Sequence, residues 1–349
     1  MNSATIRDVA KAAHVSVATV SRTLNGIESV AAKTRDRVLR AVGELDYVPH
    51  SGARALSSSR TDTIGVLLPD LHGEFFSELI RGIDLAARAR GLHLLLSSSH
   101  GDPAEAAAAL RAMRSRVDSI IVMVPNVGGE SLVDADKGAV PMVFLGSNGL
   151  RGSHSSFAID NFAGAFAITE HLVASGRKAV AFVAGPADNV DAGERLRGYR
   201  AAVKRFGALE RIVNGDFSEQ SGRDAARAFI GDNRPDAIFC ANDMMAIGCC
   251  GVLKEAGIAI GEGIGVAGFD DIPIAHYAEP GITTMNVRIA EMGASAAEKL
   301  IALIGGAPLG EEMTILTPQL VARGSTRRAG AAPQQTDMTI RKLEEGTSA

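Results

Sequence analysis

The chain reads as an α/β protein, with a small helical N-terminal domain followed by two lobes built on parallel sheets. Three observations predict this. Residues 4 to 25 fit two short helices around a tight turn. After residue 60, β-branched and leucine runs alternate with amphipathic helices, the pattern of parallel strands joined by crossover helices. That alternation divides near residue 158 into two stretches of similar size, and 349 residues suffice for one small and two medium domains with separate cores.

The N-terminal segment carries its own boundary signals. Thr5 precedes the first helix with Asp8 three residues on, a capping-box spacing, and Ser16 stands where the second helix needs an acceptor for its free N–H groups. Ile6, Val9, Ala10 and Ala13 form the inward stripe of the first helix. Val15, Val20 and Leu24 supply the inward contacts of the turn and second helix. A third helix over 32–46 brings Arg35, Val38, Val42 and Leu45 at helical spacing to close a three-helix mini-core. The outer face of the second helix keeps Val17, Ala18, Ser21 and Arg22, which suits entry into a DNA major groove. Arg22 matches the paired acceptors of guanine, Val17 and Ala18 match thymine methyls, and Ser16, Thr19, Ser21 and Asn25 match phosphate oxygens. Tyr47, just after the third helix, joins the expected DNA-contacting set.

Beyond residue 60 the strands are expected at 63–68, 92–97, 119–124, 140–145, 179–183, 236–241 and 264–269. Helices are expected near 74–90, 103–115, 161–175, 191–206, 219–230, 243–256 and 289–304. Two consecutive lobes of this kind imply a cleft lined by the carboxyl ends of strands, where open sheets take ligands.

Charge and composition narrow the function. Residues 1–60 hold nine Lys and Arg against five Asp and Glu, so a net +4 is confined to the N-terminus while the remaining 289 residues carry −8 of the overall −4. Segregated charge of this kind is the footprint of a nucleic-acid-binding segment on an otherwise acidic chain. No run of eighteen apolar residues occurs and the N-terminus lacks a secretory apolar stretch, so a cytoplasmic protein without a membrane partner is expected. Cys240, Cys249 and Cys250 lack zinc-ligand spacing and are odd in number, so buried reduced thiols, with neither disulfide nor metal nor other cofactor, are expected.

The motifs ATIRDVAKAAHVSVATVSRTLN, ELDYVP, IGVLLPDL, GPADNVDAGERLRGY, CANDMMAIG and VAGFDDIP, in this order, resemble those of LacI/GalR-family regulators over about residues 4–328. VSVATVSR is similar to the galactose-repressor subgroup in particular. The resemblance implies a helix-turn-helix headpiece over 1–48, a hinge over 49–61, a two-lobed effector domain of the type I periplasmic-binding-protein kind over 62–328, and a mobile tail over 329–349. Lobe 1 is expected to comprise 62–158 and 287–312, and lobe 2 to comprise 159–284 and 313–328. The family's hinge helix forms on operator DNA and wedges a leucine into the minor groove, here Leu56. Gly52 departs from the β-branched residue common there and is expected to cost the hinge helix about 1 kcal/mol.

For the effector, the resemblance points to Asp70 and Phe75 in lobe 1 and to Arg195, Asn242 and Asp270 in lobe 2. The chemistry agrees: an arginine and two acids clamp vicinal hydroxyls, while Phe75 and Phe217 cover the apolar face of a sugar ring. Each also has a plainer reading. Asp70 could cap a helix, Arg195 could be a solvated neighbour of Arg197, Asn242 and Asp243 could start a helix, and Asp270 with Asp271 could belong to a turn. Gly146 stands where many sugar-responsive relatives carry an aspartate, with Asn148 a compensating candidate, so purines and phosphorylated sugars stay open beside sugars.

The expected protein is therefore a ligand-responsive repressor and not an enzyme. It would bind a near-palindromic, double-stranded operator as a homodimer and be switched by a small molecule, a sugar first and a purine-type corepressor as the alternative. Gly263, Gly265 and Gly268 satisfy a dinucleotide-binding G-x-G-x-x-G spacing, but they fall on a strand instead of opening a helix. A solute-binding transport protein would need an export signal and no basic headpiece. The tail after Arg327 is too short for a leucine-heptad tetramerisation helix.

Overall fold

The first helix, α1 (Ile6–Ala12), starts where the capping box predicts: Thr5 accepts from the Asp8 N–H, and the Asp8 carboxylate accepts from the Thr5 N–H at 2.9 Å. The computed structural model describes residues 4–24, 29–47, 60–123, 125, 140–146, 154–231, 234–308 and 313–328. Asn25, Gly52, Leu56, Asn148, most of the hinge and the tail lie outside the described residues. The chain divides into two units, Met1–Asp62 and Thr63–Ala349.

In the first unit α1 is followed by α2 (Val17–Leu24) and α3 (Ala32–Glu44). The turn between α1 and α2 is made by His14 at φ 50°, after which the Val15 N–H donates to Ala10. Ser16 Oγ accepts the Thr19 N–H at 3.1 Å and so opens α2. Val9, Ala13, Val20 and Val38 are fully buried, with Ala10 and Ala41 beside them and Ile6, Val15, Leu24, Val42 and Leu45 packed around. The expected inward residues thus form one core. Arg35 is half-buried at its edge.

In the second unit a six-stranded parallel sheet is built from β1 (Thr63–Leu68), β2 (His93–Ser98), β3 (Ser119–Met123), β4 (Met142–Leu145), β5 (Ser155–Ile159) and a late strand, Met313–Leu316, in the order late strand, β5, β4, β3, β1, β2. Its central strands are buried along their length, as parallel strands covered on both faces are. Helices α4 (Glu74–Arg88) and α5 (Pro103–Met113) are the lobe's crossovers.

At Asp160 the chain passes to lobe 2, where the Asp160 carboxylate caps α6 (Asn161–Ala174) by accepting the Ala163 N–H at 2.9 Å. Here β6 (Ala179–Ala184), β7 (Leu209–Asn214), β8 (Ala237–Cys240) and β9 (Gly265–Ala267) form a parallel sheet in the order β7, β6, β8, β9. Its helices are α7 (Val190–Phe206), α8 (Glu219–Phe229), α9 (Asp243–Glu255) and the short α10 (Pro273–Tyr277). After β10 (Thr284–Asn286), α11 (Ile289–Ile304) returns to lobe 1 and packs on α4. There follow β11 (Met313–Leu316), the late strand above, and β12 (Gln319–Val321), which pairs antiparallel with β10.

The lobe boundary differs from expectation in one place. Residues 313–316, expected in lobe 2, add a parallel strand to the lobe 1 sheet, pairing Met313–Leu316 with Ser156–Ile159. Backbone pairing outweighs the pattern of the surrounding sequence here, because the edge of β5 would otherwise leave its ladder groups unmet. The crossing back follows at Thr317–Pro318, so three connections join the lobes, near 160, 287 and 317. Strands β5, β7, β10, β11 and β12 and helix α10 were absent from the expected set. β5 opens on two serines that the structure buries, and β10 and β12 are only three residues long. The glycine run at 263–268 lies on and around β9 and leads into a loop, as the strand reading requires.

Helices α4 and α11 approach so closely that backbone meets backbone. A Cβ on Gly82 would run into the Ala290 carbonyl, and one on Gly293 would run into the Leu79 carbonyl. Gly82→Ala is therefore expected to destabilise the second unit by about 1–3 kcal/mol, since an overpacked contact against main chain has no flexible partner to yield. Thermal unfolding of the variant checks this, and an unchanged melting temperature would count against close packing at that crossing.

Candidate functional site

Helix α2, expected to read DNA, turns its free face outward. Val17, Ala18 and Arg22 are exposed, with Val17 at 41%. Ser21 is half-buried, while Val20 and Thr23 face the core. Ser16 and Thr19 share a hydroxyl hydrogen bond at 2.9 Å as well as the cap bond, which fixes both hydroxyls at the helix N-terminus, where N–H groups and helix dipole favour a phosphate. Tyr47 is placed differently from expectation. At 6% exposure it packs in the three-helix core, because the chain after α3 turns back at Asp46 (φ 46°) and the Tyr47 N–H donates to Val42. Its ring supports the headpiece and leaves little surface for DNA.

In the second unit, Asp70, Phe75, Arg195, Phe217, Asn242 and Asp270, six residues spread over 200 positions of the sequence, line one cavity of about 410 Å³. The carboxyl end of β1 delivers Asp70, and the N-terminus of α4 delivers Phe75 and Phe76. On the facing lobe, α7 carries Asp191 and Arg195 one turn apart, β8 leads into Asn242, and β9 leads into Asp270. Among the described residues, hydrogen bonds that cross the cleft include Val190 N–H to the Pro125 carbonyl at 3.0 Å and Ile274 N–H to Glu74 Oε2 at 2.8 Å.

Arg195 is the centre of this arrangement. It is 5% exposed and lies with its guanidinium carbon 4.0 Å from the centre of the Phe269 ring. Its Nε donates to Asn161 Oδ1 at 2.8 Å, one terminal nitrogen donates to the Ala241 carbonyl, and the other lies 3.0 Å from Asp270 Oδ1. Asn161 in turn donates to Asp191 at 3.0 Å. The solvated-arginine reading is thereby excluded. The Asp270 contact is an ion pair without hydrogen-bond alignment, so Asp270 Oδ1 has no hydrogen-bond partner. Burial lifts the Asp270 carboxyl to about 6; Arg195 acts to lower it and Asp191 to raise it further. Asp243, fully buried behind it, is pushed well above the usual carboxylate range by burial and then by Asp270, and its Oδ2 accepts the Ile272 N–H at 3.0 Å.

The plainer reading of Asn242 also holds, while Asp70 does not cap a helix, because α4 has Gly73 at its N-cap. Asn242 is the N-cap of α9, accepting the Met245 N–H at 3.0 Å and donating to the Phe217 carbonyl at 2.9 Å. Asp70 accepts the Leu71 and His72 N–H groups through one oxygen. These bonds to main-chain groups fix the orientation of both side chains at the cavity, so structural and binding roles coincide. Strained backbone collects here as well, with Phe217 at φ 71° and Asp270 at φ 105°. Gly146 has φ 110°, and a Cβ there would lie 3.7 Å from Asp191 Oδ2. The Asp191 carboxylate thus stands beside the position where the resemblance led an aspartate to be expected. Asn161, Asp191 and Asp216 escaped the sequence reading, although Asp191 sits four residues before Arg195 on the same helical face.

A hydroxyl donor entering the cavity favours the ionised form of Asp270. Affinity for a neutral polyol is therefore expected to fall as pH drops through about 6, by up to about tenfold per unit below it, and Asp270→Asn is expected to remove the dependence. Titration calorimetry between pH 5 and 7.5 checks this; a flat profile in the parent protein would refute ligand contact with Asp270.

Two family models match the chain: that for bacterial regulatory proteins of the lacI family over residues 5–50, and that for a periplasmic binding protein-like domain over residues 169–326. The chain is 33% identical over 331 residues to the HTH-type transcriptional regulator GalR of Salmonella typhimurium, covering 92% of this chain and 96% of that one. It is 34% identical over 330 residues to the ribose operon repressor of Escherichia coli, covering 92% and 99%. A crystal structure of the Lac repressor dimer bound to operator and the anti-inducer ONPF superposes with a TM-score of 0.82 at 29% identity, over 93% of this chain and all of that one.

Proposed function

The chain belongs to the lacI family of bacterial regulatory proteins, and from that premise we propose that it is a homodimeric transcriptional repressor switched by a small sugar in the cleft between its lobes. The observation that carries this reading is one polypeptide holding both a helix-turn-helix with an exposed Val17, Ala18 and Arg22 and a cavity built around a buried, ion-paired Arg195. The first serves sequence reading and the second serves ligand recognition. No catalytic step is involved. Among the described residues no helix is long and apolar enough to cross a membrane, and a regulator of this family acts on DNA in the cytoplasm.

In the proposed mechanism Arg22 reads a guanine edge, Val17 and Ala18 meet base methyls, and Ser16, Thr19, Ser21 and Asn25 hold phosphates in each of two half-sites related by the dimer axis. Leu56 supplies the minor-groove wedge. In the cleft Arg195, Asn242 and Asp270 grip ring hydroxyls from lobe 2 while Asp70 and Phe75 meet the ligand from lobe 1, with Phe217 covering its apolar face. A ligand bridging both lobes favours one lobe arrangement over the other, and its influence on operator binding is the free-energy difference between its affinities for the two arrangements. Sugar binding that loosens the operator makes the ligand an inducer.

An operator selected from random-sequence DNA tests the reading. Arg22→Ala is expected to cost about 1–3 kcal/mol and to relax preference at one base pair of each half-site. Binding of the parent protein is expected to weaken steeply with salt as phosphate contacts release counterions. Unchanged relative affinities across single-base operator variants would refute the role of Arg22, and a flat salt titration would refute DNA binding as proposed.

A further inference from the structure

Hydrogen-bonding capacity around the cleft is lopsided. Among the described residues, four carboxylates, Asp70, Asp191, Asp216 and Asp270, line the 410 Å³ cavity, and no lysine, serine, threonine or tyrosine does. Side-chain donors there come from Arg195, Asn189, Asn242 and His100. These donors are already committed in large part: Arg195 is engaged by Asn161, the Ala241 carbonyl and Asp270, and Asn242 donates to the Phe217 carbonyl. At the mouth, an adjoining hollow of about 340 Å³ adds Glu74 and Glu219. Asp216 is a firm anion, since the hydroxyl and N–H of Ser218 hold its carboxyl below the usual range.

Ionised carboxylates only accept hydrogen bonds, so a complementary ligand must donate them. A hydroxyl supplies a donor without adding charge, whereas a phosphate or carboxylate brings further acceptors and a like charge into a partly desolvated site. The sole cationic side chain lining the cavity among the described residues is Arg195, and its charge is already met by Asp270.

We infer that the effector is an uncharged, hydroxyl-rich ring compound, and that the acidic lining of the cleft, Asp70, Asp191 and Asp216 together with Asp270, excludes phosphorylated and carboxylated relatives of the same compound. This rests on the proposed ligand cleft and selects among the ligand classes the family uses. Asp70 and Asp216, near the entrance and exposed, act as the charge filter; Asp191 and Asp270, buried, accept from the hydroxyls of the seated ring. Vicinal hydroxyls occur on free sugars and on the ribose of nucleosides, and both fit a cavity walled by Phe75, Phe76 and Phe217.

Calorimetry and thermal shift on the full chain separate these cases. The neutral probes are D-galactose, D-glucose, D-ribose, adenosine and cytidine; the charged probes are galactose 1-phosphate, glucose 6-phosphate, ribose 5-phosphate, AMP, CMP and glucuronate; hypoxanthine is a base without hydroxyls. At least one neutral probe is expected to bind, with its charged derivative weaker by about a hundredfold or more. The double variant Asp70→Asn with Asp216→Asn is expected to narrow that gap by about tenfold or more while keeping the parent fold by circular dichroism. A sugar or a nucleoside as the hit identifies which source of hydroxyls the cleft takes. A phosphate ester or glucuronate binding as tightly as its neutral partner, hypoxanthine binding alone, an undiminished gap in the double variant, or silence from every neutral probe overturns the inference. Sequence-selective DNA binding by the same preparation is scored separately, so loss of the regulator reading is distinguishable from loss of the charge filter.

Discussion

One buried guanidinium, that of Arg195, organises the cleft of the larger unit. Arg195 stands where three parts of the chain converge: Asn161 just beyond the first lobe crossing, the Ala241 carbonyl at the end of β8, and Asp270 after β9. A charge taken out of water at this depth is tolerable only when paired and hydrogen-bonded, so each of those three segments is constrained to present an acceptor to it. The strained backbone at Asp270, the stacking on Phe269 and the chain of bonds from Asn161 to Asp191 are consequences of that requirement. Because these acceptors come from the ends of strands and from the crossing itself, the same interaction that builds the cavity wall ties it to the geometry between the lobes.

Most of this was legible in the sequence where the signal is local. The capping box at Thr5 and Asp8, the inward stripe of the headpiece and the strand at 63–68 follow from side-chain period and cap chemistry, which act over a few residues. What escaped was set at long range. The strand at 313–316 belongs to lobe 1 because of its partner 157 residues earlier, and nothing in Met313–Leu316 itself says so. Tyr47 belongs to the core because of the turn at Asp46, which reverses the chain after α3. In the cleft, the family resemblance pointed to Arg195 and Asp270, while Asn161 and Asp191 become visible only once the guanidinium is seen to need partners beyond a single acid.

For Asn242 the structural and the binding readings proved compatible, whereas the buried ion pair of Arg195 excludes a solvated role for it. Asn242 caps α9, Asp70 accepts the Leu71 and His72 N–H groups and Asp270 is bridged to Asn286, yet all three line the cavity. A side chain with one polar atom committed to the backbone has lost much of its rotamer freedom, and a ligand meeting its remaining atom has less entropy to offset.

Ligand control of the proposed kind requires the Arg195-centred cleft and the DNA-reading headpiece to be thermodynamically linked. Measuring the affinity of the full chain for its neutral sugar with and without saturating operator tests this most directly. Linkage predicts a difference of about 5–150-fold between the two affinities, equal to the factor by which that sugar changes operator binding. Identical sugar affinities in the two states would contradict it, leaving a cleft and a headpiece that share a chain without sharing a function.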